Sequence, residues 1–178
     1  MKRVELLTGE ELIIRRARPA DAAQIIAYVE QVSGETDHLT FGRSEFGVTL
    51  EQETRFIEAV SKADNQLMIC ALLEDSVVGL LNFAGGTRPR TRHTGEFGVS
   101  VLQEHWRKGI ATELIAYLLQ WARDTGIIRK INLRVRAGHT AAIRLYEKFG
   151  FVYQGRITRE ICINGKFYDV LNLGLEID

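Results

Sequence analysis

The sequence predicts one α/β (α+β) domain over residues 1–178, a mixed, largely antiparallel sheet flanked by helices. Three observations predict it. Short apolar runs rich in Val, Ile, Leu and Phe come in pairs separated by turn residues, as in hairpins. Other stretches carry apolar residues at helical spacing. Between Gly95 and Gly150 a strand, a helix, a strand and a helix follow one another. Read in order, the elements are βααβββαβαββ.

Residues 12–16 form the first strand, and Asp21 caps a helix to about Val32 with Ala22, Ile25, Ile26 and Val29 on one face. Residues 33–47, rich in Gly, Ser and Thr, read as a loop; residues 50–62 read as a helix with Phe56, Ile57 and Val60 apolar. Residues 67–73 and 77–84 are apolar strands around the hairpin signal Glu74-Asp75-Ser76, and Gly85, Gly86 and Pro89 mark a turn before a strand over 95–101. A helix over 109–124 buries Ile110, Leu114, Tyr117, Leu118 and Trp121 and stops at Gly126. Ile131, Leu133 and Val135 alternate with Asn132, Arg134 and Arg136, a strand pattern. Ala142, Leu145, Tyr146 and Phe149 stripe a last helix stopped by Gly150, and residues 151–157 and 166–175 close the sheet around Asn164-Gly165.

Composition bounds the function. Lysine plus arginine equals aspartate plus glutamate at 23 each, which argues against a general nucleic-acid or anionic-membrane binder. Cys70 and Cys162 stand far apart in apolar strands and read as two buried thiols. With no CxxC pair and no HExxH helix, no metal site is expected. The charged first residues do not read as a signal peptide, and no apolar run approaches the ~20 residues of a membrane span, so a cytoplasmic protein is expected.

The chemistry concentrates between Val99 and Thr112. A strand leads through a short loop into Arg107-Lys108-Gly109-Ile110-Ala111-Thr112, the start of a helix. Free N–H groups at a helix start, the helix dipole, small residues that admit close approach and two cations make an anion cradle suited to a diphosphate. Neither GxxxxGK[ST] nor GxGxxG is present, so nucleoside triphosphates and NAD are poor candidates.

The Val99-Ser100-Val101 strand, this turn and the segment Ala142-Ile143-Arg144-Leu145-Tyr146-Glu147-Lys148-Phe149-Gly150-Phe151 together resemble the GNAT N-acetyltransferases. The resemblance implies acetyl-CoA as co-substrate, no metal, and an amine acceptor. It assigns the CoA pyrophosphate to the backbone of Arg107, Lys108, Gly109, Ile110, Ala111 and Thr112, and pantetheine and thioester to the backbone of Val99 and Val101. It also implies that the 99–101 strand splays from residues 131–135 to admit the cofactor, with Tyr146 beside the sulfur. Two positions depart from the pattern: Trp106 stands where Arg or Gln is usual, and His139 stands for an Asn that contacts the cofactor. Asn164-Gly165-Lys166-Phe167-Tyr168-Asp169 is similar to the closing segment of ribosomal-protein and polyamine acetyltransferases.

Acetyl transfer to an amine sets three tasks. The ammonium must lose a proton, the tetrahedral oxyanion needs a donor, and the departing thiolate gains from an acid. Tyr146 is the candidate acid, a strand N–H of Val99 or Val101 the candidate oxyanion donor, and Glu96 the candidate base. Strand parity turns Glu96 away from Phe97, Val99 and Val101, so a water chain ending at a backbone carbonyl is the alternative base. Tyr168 and Asp169 are candidates to face the acceptor. His93 and His105 read as exposed loop residues, and Arg88, Arg90 and Arg92 as a solvated hairpin tip. The acceptor is left open among small amines, amino acids, polyamines and protein N-termini, and the assembly between monomer and homodimer. The competing class is a GNAT-like module that holds acyl-CoA as a sensor without turnover.

Overall fold

One eight-stranded sheet carries everything else. The computed structural model describes residues 1–178. The strands are β1 (Lys2–Glu5), β2 (Glu11–Arg16), β3 (Gln66–Leu73), β4 (Ser76–Gly85), β5 (Thr94–Val101), β6 (Lys130–Arg136), β7 (Val152–Ile163) and β8 (Lys166–Glu176), ordered β1-β2-β3-β4-β5-β6-β8-β7. All neighbours run antiparallel except β5 and β6. The helices are α1 (Ala22–Glu35), α2 (Leu50–Lys62), α3 (Ile110–Thr125) and α4 (Thr140–Lys148).

The helices divide between the two faces. On one face α3 and α4 seal a core in which Leu12, Ile69, Leu81, Phe83, Ile131 and Leu133 meet Ile110, Leu114 and Leu118. Trp121 of α3 meets the Phe83 ring edge-on at 5.5 Å between centroids. Each such aliphatic side chain contributes about 1.5–3 kcal/mol by leaving water. On the other face α1 and α2 bury Ile25, Val29, Ile57 and Val60 against Met68, Cys70 and Leu72. They cover β2 to β4 and leave the same face of β6 to β8 open.

Several expectations are corrected. The order gains a strand: Lys2–Glu5 pairs with Glu11–Ile14 through a turn at Gly9, whose φ is +83°. Its sequence, Lys-Arg-Val-Glu, has one apolar residue; an edge strand needs only one face against the core, so no alternation marks it. Asp21 does not cap α1 with its side chain. Its carboxylate instead takes the guanidinium of Arg15 at 2.6 and 2.9 Å and the Arg18 N–H at 2.7 Å, which fixes the chain reversal into α1. Cys70 is buried but Cys162 is exposed, because β7 is the edge strand and nothing covers it. β7 also runs on to Ile163, with a bulge between Ile157 and Ile161 where Arg159 has φ +55°. Asn164 and Gly165, both at positive φ, make the turn into β8. His105 lies in a short 3-10 turn, its ring only 17% exposed.

Candidate active site

The site begins where the sheet comes apart. β5 pairs with β6 only at Thr94–Lys130, Gly95–Ile131 and Glu96–Asn132, whereas β5 stays paired with β4 as far as Val101. Beyond Glu96 the two parallel strands diverge and open a wedge in the middle of the sheet. Leu102 N–H donates to Val78 C=O at 3.0 Å, and antiparallel pairing alternates, so Val99 and Val101 turn their N–H and C=O groups toward the wedge. One of these acceptors is taken: the Trp106 indole N–H donates to Val101 C=O at 2.7 Å. That bond gives Trp106 a local role, fastening the loop that follows β5 to the end of the strand.

The same loop shapes the start of α3. Arg107 has φ +63° and Gly109, the residue before the helix, has φ +87°. Left-handed backbone on either side of Lys108, followed by the free N–H groups of the first turn of α3, forms a candidate anion nest. A side chain at Gly109 would meet nothing within 4 Å, so conformation, not space, calls for glycine there. The two cations differ. Lys108 Nζ is bound to Glu10 at 3.1 Å and lies 3.4 Å from His105 Nδ1, whereas Arg107 is exposed and makes no ion pair.

Tyr146 stands at the apex of the wedge. Its ring meets Phe97, the first β5 residue past the last β5–β6 pair, edge-on at 5.9 Å, and Phe151 at 6.1 Å. It is 8% exposed, and burial pushes its phenol up to about 12. The hydroxyl makes no hydrogen bond within the protein. It stays protonated at any ordinary pH.

The opposite face of the wedge is polar. Glu96 lies on it, as parity requires, and no bulge interrupts β5 to turn it over. Its carboxylate accepts from Arg134 Nε at 2.9 Å, and Arg134 also reaches Glu160 at 3.5 Å. Gly98, next along this face, leaves open space above it. Ser100 follows, bonded at 2.8 Å to the buried Tyr28 hydroxyl, whose pKa burial raises. Behind them lies a hollow of about 360 Å³ lined by His38, Thr40, Arg134, Arg136, Glu160 and Cys162, among others.

His139 precedes α4 at the edge of this hollow. Its ring stacks on His38, with centroids 3.6 Å apart and planes 4° from parallel. Burial first, then His38 and Arg136, push His139 down to about 4. Burial and Arg136 likewise lower His38. Two neutral rings therefore clamp the 36–49 loop to the start of α4. Tyr168 also belongs here, under the Arg136 guanidinium at 4.6 Å. Asp169 does not: Arg156 Nε and the Arg159 N–H hold its carboxylate at 2.7 and 2.9 Å. Sequence reading missed His38, Arg134 and Arg136 as site residues. The alternation of β6 put both arginines on one face, but only the absence of a helix over that face makes it a site.

The central parallel pair opens beside the helix start, as the sequence resemblance implied, and residues 35–151 match the Acetyltransferase (GNAT) family. The chain belongs to the GNAT acetyltransferases. It is 26% identical over 170 residues to the SPbeta prophage-derived uncharacterized N-acetyltransferase YokL of Bacillus subtilis, covering 94% of this chain and 91% of that one. A GNAT-family acetyltransferase from Streptococcus pneumoniae superposes with a TM-score of 0.90 at 33% identity, over 94% of this chain and 99% of that one. The fold is shared, at 18% identity and a TM-score of 0.81, by a phosphinothricin acetyltransferase from Sinorhizobium meliloti in complex with acetyl-CoA, over 93% and 88% of the two chains. For this GNAT chain no helix is long and apolar enough to cross a membrane, and no cluster of three or more His, Cys, Asp or Glu side chains is disposed to hold a metal ion.

Proposed function

We propose that this chain transfers the acetyl group of acetyl-CoA to a primary amine within a ternary complex. The observation that carries the reading is the wedge between β5 and β6, which opens beside the helix-start nest and carries Tyr146 at its apex. The nest from Arg107 to Thr112 suits a pyrophosphate, with Arg107 adding an unpaired cation. Val99 N–H and C=O and Val101 N–H are free to bond the pantetheine amides and the thioester oxygen. His139, standing for the family's Asn, offers one ring nitrogen to the cofactor arm.

In the reaction the amine nitrogen bonds to the acetyl carbon as the C–S bond breaks. A strand N–H stabilises the oxyanion. Tyr146 is suited to hydrogen-bonding the departing thiolate. Full proton transfer from a phenol at about 12 to a thiolate with pKa ~8.5 is uphill by roughly 5 kcal/mol, so donation of a hydrogen bond, not loss of the proton, is its contribution. Glu96 is the base through an intervening water, after its carboxylate has turned from Arg134. The test is thiol release from acetyl-CoA with a pooled set of amines. Release that depends on amine supports transfer, while tight acetyl-CoA binding with no release by any amine assigns the chain to the sensor class.

A further inference from the structure

The hollow behind the wedge holds two guanidinium groups, and only one has acids. Arg134 sits between Glu96 and Glu160. Arg136 pairs with no carboxylate. Its guanidinium lies over the Tyr168 ring, and its Nε is buried without a hydrogen-bond partner. On the same hollow, Nδ1 of His38 is also buried without a partner. Buried polar groups in folded proteins are nearly always satisfied, so two in one hollow, one of them on a cation, point to an oxyanion that occupies it.

The position of Arg136 narrows the oxyanion's source. The β5–β6 register pairs Glu96 with Asn132. Carried forward past the divergence, it sets Ser100 level with Arg136. A carboxylate on Arg136 therefore lies level with the stretch of β5 that the acetyl-transfer reading gives to the thioester, across the opening between the two strands. Its amine must be close to it, as when one carbon separates the two. The charges agree. Arg134, Arg136, Glu96 and Glu160 cancel, which matches a zwitterion, whereas a polyamine brings no anion for Arg136.

We propose that the acceptor is a free α-amino acid, its carboxylate held by Arg136 with His38 donating from Nδ1, and its amine turned to the wedge. This rests on the acetyl-transfer reading. The α-ammonium loses two protons in all: one ends on the CoA thiol and one goes to solvent, as the N–C bond forms and the C–S bond breaks.

The experiment titrates free amino acids, each beside its decarboxylated amine, into CoA-saturated protein by calorimetry. Wild type, Arg136→Gln and Arg136→Lys are compared, with melting temperature and acetyl-CoA affinity as controls. At least one amino acid is expected to bind, with its decarboxylated amine about 10- to 100-fold weaker, the scale of a charged hydrogen-bond pair. Arg136→Gln should erase that difference, and Arg136→Lys, which keeps the charge without the fork, should restore part of it. Equal binding of acid and amine, unchanged affinity in Arg136→Gln, or no binding by any amino acid overturns the proposal. Thiol release in the same mixtures reads the parent hypothesis separately. Amines acetylated without regard to a carboxylate sink this inference and keep the transfer. Amino acids bound through Arg136 with no release keep the site and sink the transfer.

Discussion

Replacing Tyr146 with Phe isolates one hydroxyl. The ring's contacts with Phe97 and Phe151 survive, and the hydroxyl has no protein hydrogen bond to lose. Stability should therefore change by less than about 0.5 kcal/mol, roughly 2 °C in melting temperature for a domain of this size. The catalytic cost is larger. A hydrogen bond to a charged acceptor contributes about 1.5–3 kcal/mol, so the chemical step should slow by about 10- to 150-fold. Because the phenol sits at about 12, it donates at every pH from 6 to 10, and the loss should be the same across that range. It should shrink with acyl donors whose leaving thiol is more acidic, since their thiolates need less stabilisation. The assay is a single-turnover rate at saturating amine, which removes product release from the measurement. A folded Phe variant with the wild-type single-turnover rate would refute the role of Tyr146. A loss confined to the alkaline limb would refute the argument from its burial.

Gly98→Val should leave the melting temperature unchanged, because a side chain there meets nothing within 4 Å and valine suits a strand, yet kcat/KM for the acceptor should fall at least about tenfold as the polar face narrows; isothermal titration should find acetyl-CoA affinity intact. Arg107→Ala should weaken acetyl-CoA binding by about 1 kcal/mol and flatten its salt dependence, whereas Lys108→Ala, already paired with Glu10, should do less. His139 sets an acid limit. The folded protein keeps it neutral down to about 4 while the unfolded chain takes a proton near 6.5, so stability holds above 6.5 and is lost as pH falls toward 4. Melts from pH 7 to 4 should show this loss in wild type and a smaller one in His139→Ala; equal slopes would count against the stacked neutral pair. Asp21→Asn should cost about 2–3 kcal/mol in urea unfolding, since it leaves the half-buried Arg15 without its carboxylate.

The sequence alone determined every helix and every strand but the edge strand β1, though not the full length of β7. Gly109 and Gly126 bound α3 because both take left-handed φ, and the stripe of Ile110, Leu114, Leu118 and Trp121 faces the core as its spacing requires. The turn from Arg107 to Thr112 and Tyr146 were legible as candidates for chemistry because a helix start with small residues, and a tyrosine within a recognisable block, are local signals. Strand parity even placed Glu96 on the correct face. Local signals could not say that β5 parts from β6 after Glu96, since a wedge is a relation between strands that lie 36 residues apart in register. Nor could they show that Trp106 fastens Val101, that Lys108 is spent on Glu10, or that His38, from a loop with no periodicity, stacks on His139. Arg134 and Arg136 alternate identically in sequence, and only the tertiary structure separates them. Glu96 and Glu160 converge on the first, while the second is left over an aromatic ring with a buried donor and no acid, because side chains find their partners across the sheet and not along the strand.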